Sequence, residues 1–262
     1  MSGTDPDAPI SLAIHDGIAR IGLRRPQRHN SLVPELLRAL LAGLAQAQSD
    51  LQVRAVLLYG HGASFSTGGD LQAFLANWDH VQAYAQELVG LLNEVILAIL
   101  RMDKPVIAAL HGFTTGGSLG LAFASDAVLA ASDARLGAYY GRVGFSPDGG
   151  CTVLLPALVG MGRARAFLLL DRPLAAQEAM IWGLVTELVP PEDLHRRATE
   201  LAWQASRLSP ASIRRAKALL HADIDTVVAG LERERQEFVR NLASEGVRAS
   251  VEAYLAQMRR KR

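Results

Sequence analysis

The sequence predicts an α/β fold with largely parallel strand pairing, followed by a mainly helical C-terminal part. Up to about residue 160, apolar runs of strand length alternate with helical patterns and glycine-rich loops, which is typical of parallel sheets. After Met161 the segments have helical patterns instead. The chain has 262 residues, of which 50% are hydrophobic and 20% are charged, so it is large enough to bury a sizeable core.

The N-terminal elements follow one another in a clear order. Ile10 to Leu23 predicts a β-hairpin around the turn "HDG". Val33 to Gln48 has helical spacing, with Ser31 as the expected N-cap and Pro34 in the first turn. Val53 to Gly60 predicts a buried strand, which leads into the glycine- and serine-rich loop "GHGASFSTGGD".

The later elements repeat the order of helix, strand and glycine loop. A long helix is predicted within Asp79 to Arg101, and Lys104 to Gly112 predicts a second buried strand that ends in a glycine loop. A helix then begins at "SLGLAFASD", and "AVLAAS" is strand-like. The C-terminal helices are predicted from "RARAFLLL", "AAQEAMIWG", "EDLHRRATELAWQASRL" and "PASIRRAKALLHADIDTVVAGLERERQEFVRNLA".

The charge and cysteine content exclude several classes of protein. Lys plus Arg is 27 and Asp plus Glu is 26, without the basic excess of a nucleic-acid-binding protein. The single cysteine, Cys151, allows no internal disulfide and suits a reducing compartment; we interpret it as a structural thiol. The start "MSGTDPDAP" lacks the features of a signal peptide, and no stretch of about 18 uncharged apolar residues would span a membrane. We therefore expect a cytoplasmic protein.

Two glycine loops, each following a strand, are the first candidates for chemistry. They are "STGGD" (Ser66 to Asp70) and "FTTGGSLG" (Phe113 to Gly120). Glycines let the backbone approach a ligand closely, and two such loops could direct two N–H groups at one oxygen, as in an oxyanion hole. Glycine loops after strands are also common for purely structural reasons. Neither loop matches a nucleotide-binding motif, and the seven histidines are scattered, so we expect no metal site.

The stretch "GFSPDGG" (Gly144 to Gly150) places one carboxylate, Asp148, on a tight turn. Aspartate on a turn often only caps nearby backbone N–H groups. Loops on a rigid scaffold also carry catalytic side chains. The residues around it are apolar, which permits a raised pKa of this carboxyl if its pocket excludes water. Both roles stay open from these residues alone.

The order of several motifs resembles the enoyl-CoA hydratase/isomerase (crotonase) superfamily over nearly the whole chain. These motifs are "ASFSTGGDL", "KPVIAALHGFTTGGSLGLAFASDAVLAAS", "VGFSPDGGCTVLLPALVG" and "AAQEAMIWGLVTELV". The resemblance implies an α/β, crotonase-like spiral of ββα repeats with a helical C-terminal trimerisation region. We place the core domain at residues 1–200 and the trimerisation region at 201–262. It also implies an acyl-CoA thioester substrate and a homotrimer or hexamer.

The resemblance assigns roles to individual residues. The N–H groups of Gly69 and Gly117 fall on the family's oxyanion hole. The segment that contacts coenzyme A in the family corresponds to Ser66, Gly68, Asp70 and Leu71. Arg25 and Arg28 lie where the family often places a basic residue near the coenzyme A phosphates, although exposed arginines are as often simply solvated. The acyl pocket is expected to be shaped by Val81 to Leu92 and Tyr139 to Phe145.

The departures from the family pattern decide the predicted reaction. The two glutamates that activate water in the family's hydratases align with Gly120 and Tyr140, so efficient hydration is not expected. Asp148 remains, at a turn where some family isomerases have a carboxylate. The chloroaryl-CoA dehalogenases also have this aspartate, but their supporting histidine and tryptophan align with Asn93 and Tyr140. Tyr140 is therefore a candidate to donate a hydrogen bond, to line the pocket, or only to pack in the core.

These observations predict an enzyme that moves a C=C bond of an enoyl-CoA through a thioester enolate. Gly69 and Gly117 would stabilise the oxyanion and Asp148 would be the general acid/base. No cofactor is expected, because coenzyme A is part of the substrate. The alternatives are an enoyl-CoA hydratase, an aryl-CoA dehalogenase, or a non-catalytic acyl-CoA-binding protein.

Overall fold

The computed structural model of the chain describes residues 8–260 and has mixed α/β architecture. The strands are β1 Ile10–His15, β2 Ile18–Leu23, β3 Ala55–Gly60, β4 Val106–Leu110, β5 Phe113–Thr115, β6 Ala127–Ala131, β7 Arg135–Gly137, β8 Leu174–Ala175 and β9 Glu187–Val189. The helices are α1 Pro34–Ser49, α2 Leu71–Ala76, α3 Val81–Leu100, α4 Leu119–Phe123, α5 Tyr140–Val143, α6 Leu154–Val159, α7 Met161–Leu169, α8 Ala176–Ile181, α9 Leu194–Ser206, α10 Pro210–Leu220, α11 Ile224–Leu242 and α12 Val247–Arg260. The prediction that the N-terminus lacks signal-peptide features concerns mainly residues 1–7, which lie outside the described residues.

The strands form two sheets. The larger has the order β1-β2-β3-β4-β6-β9, and the smaller has the order β5-β7-β8. The hairpin β1–β2 is antiparallel, as predicted, while β2–β3, β3–β4, β4–β6 and β6–β9 are parallel. The predicted parallel α/β class is therefore confirmed.

The two sheets arise from a repeated ββα turn of the chain. In one turn β4 lies in the larger sheet, β5 in the smaller sheet, and α4 follows; in the next, β6, β7 and α5 take the same places. Ser66 forms a parallel bridge with Thr114, so the loop after β3 fills the place of a short strand in the preceding turn. This repetition is the crotonase-like spiral that the resemblance implied.

The larger sheet is covered on both faces, which explains its almost unbroken apolar strands. Helices α1 and α3 belong to the main core, and α9 packs on β3, β4 and β6 to form a second apolar cluster. Residues 78–100 have the length and mean hydropathy (1.4) of a membrane-crossing helix, but half of the stretch is buried inside the protein. Since this helix also packs against α1 and α11, it is a core helix.

Some local predictions were wrong. Ser31 does not cap α1, because its hydroxyl donates to Asp70 Oδ2 at 3.1 Å; Val33 is the N-cap, and Pro34 begins the helix. The last long predicted helix is broken at Asp223 into α10 and α11. The division into domains at residue 200 stays a prediction.

Candidate active site

The two glycine loops lie against each other. Thr115 donates its N–H to the carbonyl oxygen of Ser66 (3.1 Å), and the Ser118 hydroxyl donates to the same oxygen (3.0 Å). Gly68 has φ +73°, and a Cβ atom on it would lie 2.5 Å from the Thr115 carbonyl oxygen. Glycine is thus required at this position, both for its conformation and for the close approach of the two loops.

Gly69 and Gly117, one from each loop, line the same small cavity of about 80 Å³. In the described part of the chain, the loop hydrogen bonds include none donated by either N–H group. Two backbone donors beside one cavity meet the basic requirement for an oxyanion hole. The structure therefore brings together the two glycines that the sequence singled out.

The carboxyl group of Asp148 lies next to Gly117. A Cβ atom placed on Gly117 would be 2.9 Å from Asp148 Oδ1 and 3.2 Å from Oδ2. The turn that carries Asp148 needs glycines, since Gly149 and Gly150 have φ values of +64° and +79°. Asp148 is 7% exposed and is the only carboxylate among the described residues that line the cavity. It is therefore placed to exchange protons with a ligand held at Gly117.

Tyr140 supports the carboxyl group of Asp148. Its hydroxyl donates to Asp148 Oδ1 at 2.7 Å and also contacts the Asp148 carbonyl oxygen at 3.0 Å. Burial and the neighbouring carboxyl raise the pKa of Tyr140 well above its usual value, so the hydroxyl stays protonated and acts as a donor. Tyr140 also lines the cavity, so two of its predicted roles occur together.

Burial sets the protonation behaviour of Asp148. Desolvation raises its pKa from 3.8 to about 7; the hydrogen bond from Tyr140 opposes this shift, and the negative charge of Glu234 adds to it. A pKa near neutrality suits a group that must both accept and return a proton. Cys151, by contrast, is fully buried and its thiol pKa is raised well above the usual value, mainly by burial, so it is no activated nucleophile.

Glu234 is a buried carboxylate that sequence reasoning missed. It lies on α11 and accepts hydrogen bonds from the N–H groups of Gly150 (2.7 Å) and Thr152 (2.5 Å). It also accepts one from the Thr152 hydroxyl at 2.6 Å. It sits in the charged pattern "ERERQE", but its spacing from Leu231 (i−3) and Phe238 (i+4) puts it on the apolar face of the helix, and this periodicity is the signal that could have identified it.

The positions of the two hydratase glutamates are filled by other groups. A Cβ atom on Gly120 would lie only 2.2 Å from the Gly149 carbonyl oxygen and 2.6 Å from Ile96 Cδ1. The Asp148 turn thus occupies the space of a side chain at residue 120. At the second position Tyr140 points at Asp148.

The two arginines predicted near the coenzyme A phosphates are held by a buried aspartate. Arg25 Nη2 lies 3.2 Å and Arg28 Nη2 lies 2.7 Å from the carboxylate of Asp70. Asp70 also caps α2 by accepting from the N–H groups of Gln72 and Ala73. Burial alone would raise the pKa of Asp70, but hydrogen bonds from Arg28 and the Ala73 N–H lower it below its usual value. Asp70 therefore orders the two arginines and the loop that carries Gly69.

The remaining predicted contact residues divide between the cavity and the interior. Leu71 lines the cavity. Ser66 is fully buried and its hydroxyl donates to the Asn30 carbonyl oxygen at 2.7 Å, so it orders the loop from inside. Gly68 likewise lies behind the cavity wall, against Thr115.

The cavity has a largely aromatic wall. Of the predicted pocket segments, Leu88 comes from 81–92, and Tyr139, Tyr140, Val143 and Phe145 come from 139–145. Three further rings were not predicted: Phe74 of α2, Phe238 of α11 and Tyr254 of α12. The rings of Phe74, Phe145 and Phe238 pack on one another with centroids 5.1–6.0 Å apart. Two helices from the C-terminal part thus close the site within the same chain.

Within residues 8–260, no group of three or more His, Cys, Asp or Glu residues could hold a metal ion. Asn93, at the position of the dehalogenase histidine, donates its amide to the Leu231 carbonyl oxygen at 3.0 Å and does not line the cavity. A larger open groove of about 550 Å³ lies between α3 and the α11–α12 junction, but it contains neither glycine loop nor Asp148.

Comparison with known proteins gives consistent matches. Residues 13–261 match the family model described as enoyl-CoA hydratase/isomerase. The 4-chlorobenzoyl coenzyme A dehalogenase-2 of an Arthrobacter species is 33% identical over 202 residues, covering 77% of this chain and 73% of that protein. The short-chain-enoyl-CoA hydratase of Clostridium acetobutylicum is 31% identical over 217 residues, covering 81% and 82%. A crystal structure of an enoyl-CoA hydratase/isomerase from Pseudoalteromonas atlantica T6c has a TM-score of 0.85 at 29% identity, covering 95% of this chain and 97% of that one.

Proposed function

Because the chain belongs to the enoyl-CoA hydratase/isomerase family, we propose that it is an enoyl-CoA isomerase in which Asp148 transfers a proton along the acyl chain. The observation that carries this proposal is the single buried carboxylate beside Gly117, with no second acid lining the cavity in the described residues. One base suffices for isomerisation, whereas the hydratase pattern needs two acids to handle water. Named hydratases are among the relatives of this chain, and the proposal rests on the two hydratase glutamate positions, which are Gly120 and Tyr140 here.

The proposed reaction uses proton transfer alone. The Asp148 carboxylate removes a proton from C2 of a 3-enoyl thioester, and the electron pair moves onto the thioester oxygen to form a dienolate. The N–H groups of Gly69 and Gly117 donate to this oxygen as its negative charge develops. Protonated Asp148 then returns the proton to C4, which leaves the double bond between C2 and C3. No metal or redox cofactor is required by these steps.

A largely apolar wall and the burial of Asp148 support this mechanism. Burial makes the Asp148 carboxylate a stronger base, because its charged form is poorly solvated. The donated hydrogen bond from Tyr140 holds the carboxyl in place while protons move. Arg28, whose side chain is 37% exposed, is proposed to meet the coenzyme A phosphates while it remains paired with Asp70.

A double-bond shift assay tests the reaction. The protein is mixed with a 3-enoyl-CoA and, separately, with a 2-enoyl-CoA, and the ultraviolet band of the conjugated thioester is followed. We expect the band to grow with the first substrate and to persist with the second. Loss of the band with formation of a 3-hydroxyacyl-CoA would instead make the protein a hydratase, and binding without turnover would make it an acyl-CoA-binding protein.

Dehalogenation is a second candidate, favoured by the similarity to the Arthrobacter dehalogenase and by the aspartate at this turn. Asn93 and Tyr140 stand at the positions of the supporting histidine and tryptophan, and Asn93 faces Leu231. Release of chloride from 4-chlorobenzoyl-CoA would support this alternative against isomerisation.

The size of the cavity leads to a prediction about the acyl group. The cavity is small, about 80 Å³, and aromatic rings form much of its wall, so a short or compact acyl chain fits best. Replacing Tyr254 by alanine removes one wall, and we expect kcat/KM for a long enoyl-CoA to rise about tenfold relative to a short one. Gln257→Ala, at an exposed position on the same helix, is the control. An unchanged ratio in Tyr254→Ala would show that α12 does not limit the acyl chain.

We also propose that the protein works in the cytoplasm as a homotrimer or a pair of trimers. Leu169, Leu170 and Ile181 are 76%, 75% and 71% exposed, and such large apolar side chains are available for contacts between copies. Light scattering of the purified protein measures the assembly.

A further inference from the structure

Glu234 links the C-terminal helix α11 to the turn that carries Asp148. Its carboxylate is 4% exposed and spans the turn, with Oε2 bound by the Gly150 N–H and Oε1 bound by the N–H and hydroxyl of Thr152. Gly230, one helical turn earlier, lets α11 approach the same segment, since a Cβ atom there would lie 2.8 Å from Val153 Cβ. The contact is therefore close and specific.

A buried carboxylate without a cation is unusual. Among residues 8–260, none of the ion pairs includes Glu234 or Asp148. Burial raises the pKa of Glu234, and its three hydrogen bonds from the turn oppose that shift. The fold thus supplies donors that stabilise the ionised form where no cation does.

The turn that Glu234 binds, residues 148–150, packs directly against the second glycine loop at Gly117. A Cβ atom on Gly149 would lie 2.6 Å from the Gly117 carbonyl oxygen, so the two backbones are in contact. Any movement of the turn would change the distance between the Asp148 carboxyl and the Gly117 N–H. The turn contains two glycines in the left-handed region, and glycine restricts the backbone less than other residues, so contacts from outside the turn help to fix it.

We propose that Glu234 is a positioning residue for Asp148: it holds the turn against Gly117, and its negative charge strengthens Asp148 as a base. This role rests on the proposed isomerase function. The titratable groups that face Asp148 are Tyr140 from α5, Cys151 from the turn and Glu234 from α11. Of these, Glu234 is the one whose carboxylate only accepts hydrogen bonds, from the Gly150 and Thr152 donors, which favours its ionised form. Burial raises the pKa values of Tyr140 and Cys151 well above their usual ranges, so both stay protonated.

The test compares Glu234→Gln with Glu237→Gln, which removes the same charge at an exposed position of the same helix. Infrared spectroscopy follows the carboxylic-acid C=O band of Asp148 across pH, with the band assigned by its absence in Asp148→Asn. In Glu234→Gln we expect the Asp148 titration to move to lower pH. The acidic limb of the pH–rate profile should move in the same direction. We further expect kcat to fall about tenfold and KM to change less than twofold, because Glu234 does not line the cavity. Glu237→Gln should match the wild type in each measurement.

The outcomes separate the two proposals. If the Asp148 titration is unchanged in a folded Glu234→Gln variant, Glu234 is only a structural brace and the proposal is wrong. If that titration moves as expected while the wild type shifts no double bond, Glu234 tunes Asp148 but the proposed reaction is wrong. Should Glu234→Gln fail to fold, Glu234→Asp decides, because it keeps the charge and shortens the reach to the Gly150 and Thr152 donors. We expect its kcat to fall several-fold with KM little changed, and a wild-type kcat in this variant overturns the proposal.

Discussion

Replacing Asp148 by asparagine is expected to lower kcat for the double-bond shift by about 10²–10⁴-fold, the range typical of general acid–base groups. Asparagine has the same shape and can still accept the Tyr140 hydrogen bond on its amide oxygen. It cannot take a proton from C2, so the loss should appear in kcat. The KM value should stay within about twofold, since the glycine donors and the cavity wall are unchanged. Steady-state kinetics with a short 3-enoyl-CoA measures both constants.

Two controls make this result specific. Asp133→Asn changes the same group at an exposed position and should retain full activity. Calorimetry with a saturated acyl-CoA should give similar affinities for wild type and Asp148→Asn. If Asp148→Asn kept more than a tenth of the wild-type kcat, Asp148 would be a turn residue and not the base.

The same substitution is expected to stabilise the folded protein at high pH. The folded-state pKa of Asp148 is raised to about 7 from 3.8, so the folded state holds its proton when the unfolded state has lost it. Between these two values, rising pH therefore lowers the stability of the wild type. Asparagine does not ionise and avoids this loss, which is worth about 4 kcal/mol above pH 7 as an order of magnitude. Thermal unfolding should show Asp148→Asn more stable than wild type at pH 8, with the difference vanishing near pH 4.

At Asp148, stability and the proposed activity oppose each other. The energy that destabilises the ionised carboxylate in the fold is the same energy that makes it a strong base. If the pKa of Asp148 were unshifted, Asp148→Asn would change stability equally at pH 4 and pH 8, and neither the kinetic nor the thermal prediction would hold.

Local sequence signals were sufficient for much of the fold. Strands β3, β4 and β6 are apolar runs with polar, proline or glycine residues at their ends. Such runs are typical of strands that helices cover on both faces. By contrast, β5, β7, β8 and β9 have two or three residues each, too few to show a period. Their positions follow from the spiral and not from their own sequence.

Only part of the candidate site could likewise be predicted from local sequence. Gly69, Gly117 and Asp148 lie in short motifs, and the structure brings all three to one cavity. Glu234, Phe238 and Tyr254 lie on amphipathic helices far along the chain, and their role depends on which helical face meets the turn. The sequence also did not reveal that Asp70 pairs with Arg25 and Arg28. Asp70 is more than 40 residues away from both, and only the folded chain brings them into contact.

The second large effect is expected at Gly120, the position of an absent hydratase glutamate. A Cβ atom there would lie 2.2 Å from the Gly149 carbonyl oxygen, and this neighbour is backbone that cannot rotate away. Gly120→Ala must therefore push the Asp148 turn off Gly117. We expect a loss of stability of about 1–3 kcal/mol or more, together with a large fall in kcat. Gly162→Ala, in α7 with no atom within 4 Å, is the control and should be neutral or slightly stabilising.

Gly120→Glu extends the argument to the choice of reaction. If only a missing side chain separated this protein from the hydratases, restoring a glutamate would bring hydration of a 2-enoyl-CoA. The structure predicts the opposite, because the glutamate and the Gly149 backbone require the same space. The variant should be less stable than Gly162→Ala and should not hydrate, as measured by thermal unfolding and by loss of the conjugated-thioester band. A stable variant that hydrates would show that the turn can move aside. An unstable, inactive one would mean that a carboxylate at residue 120 and the Asp148 turn exclude each other, so that the two chemistries require two different backbones.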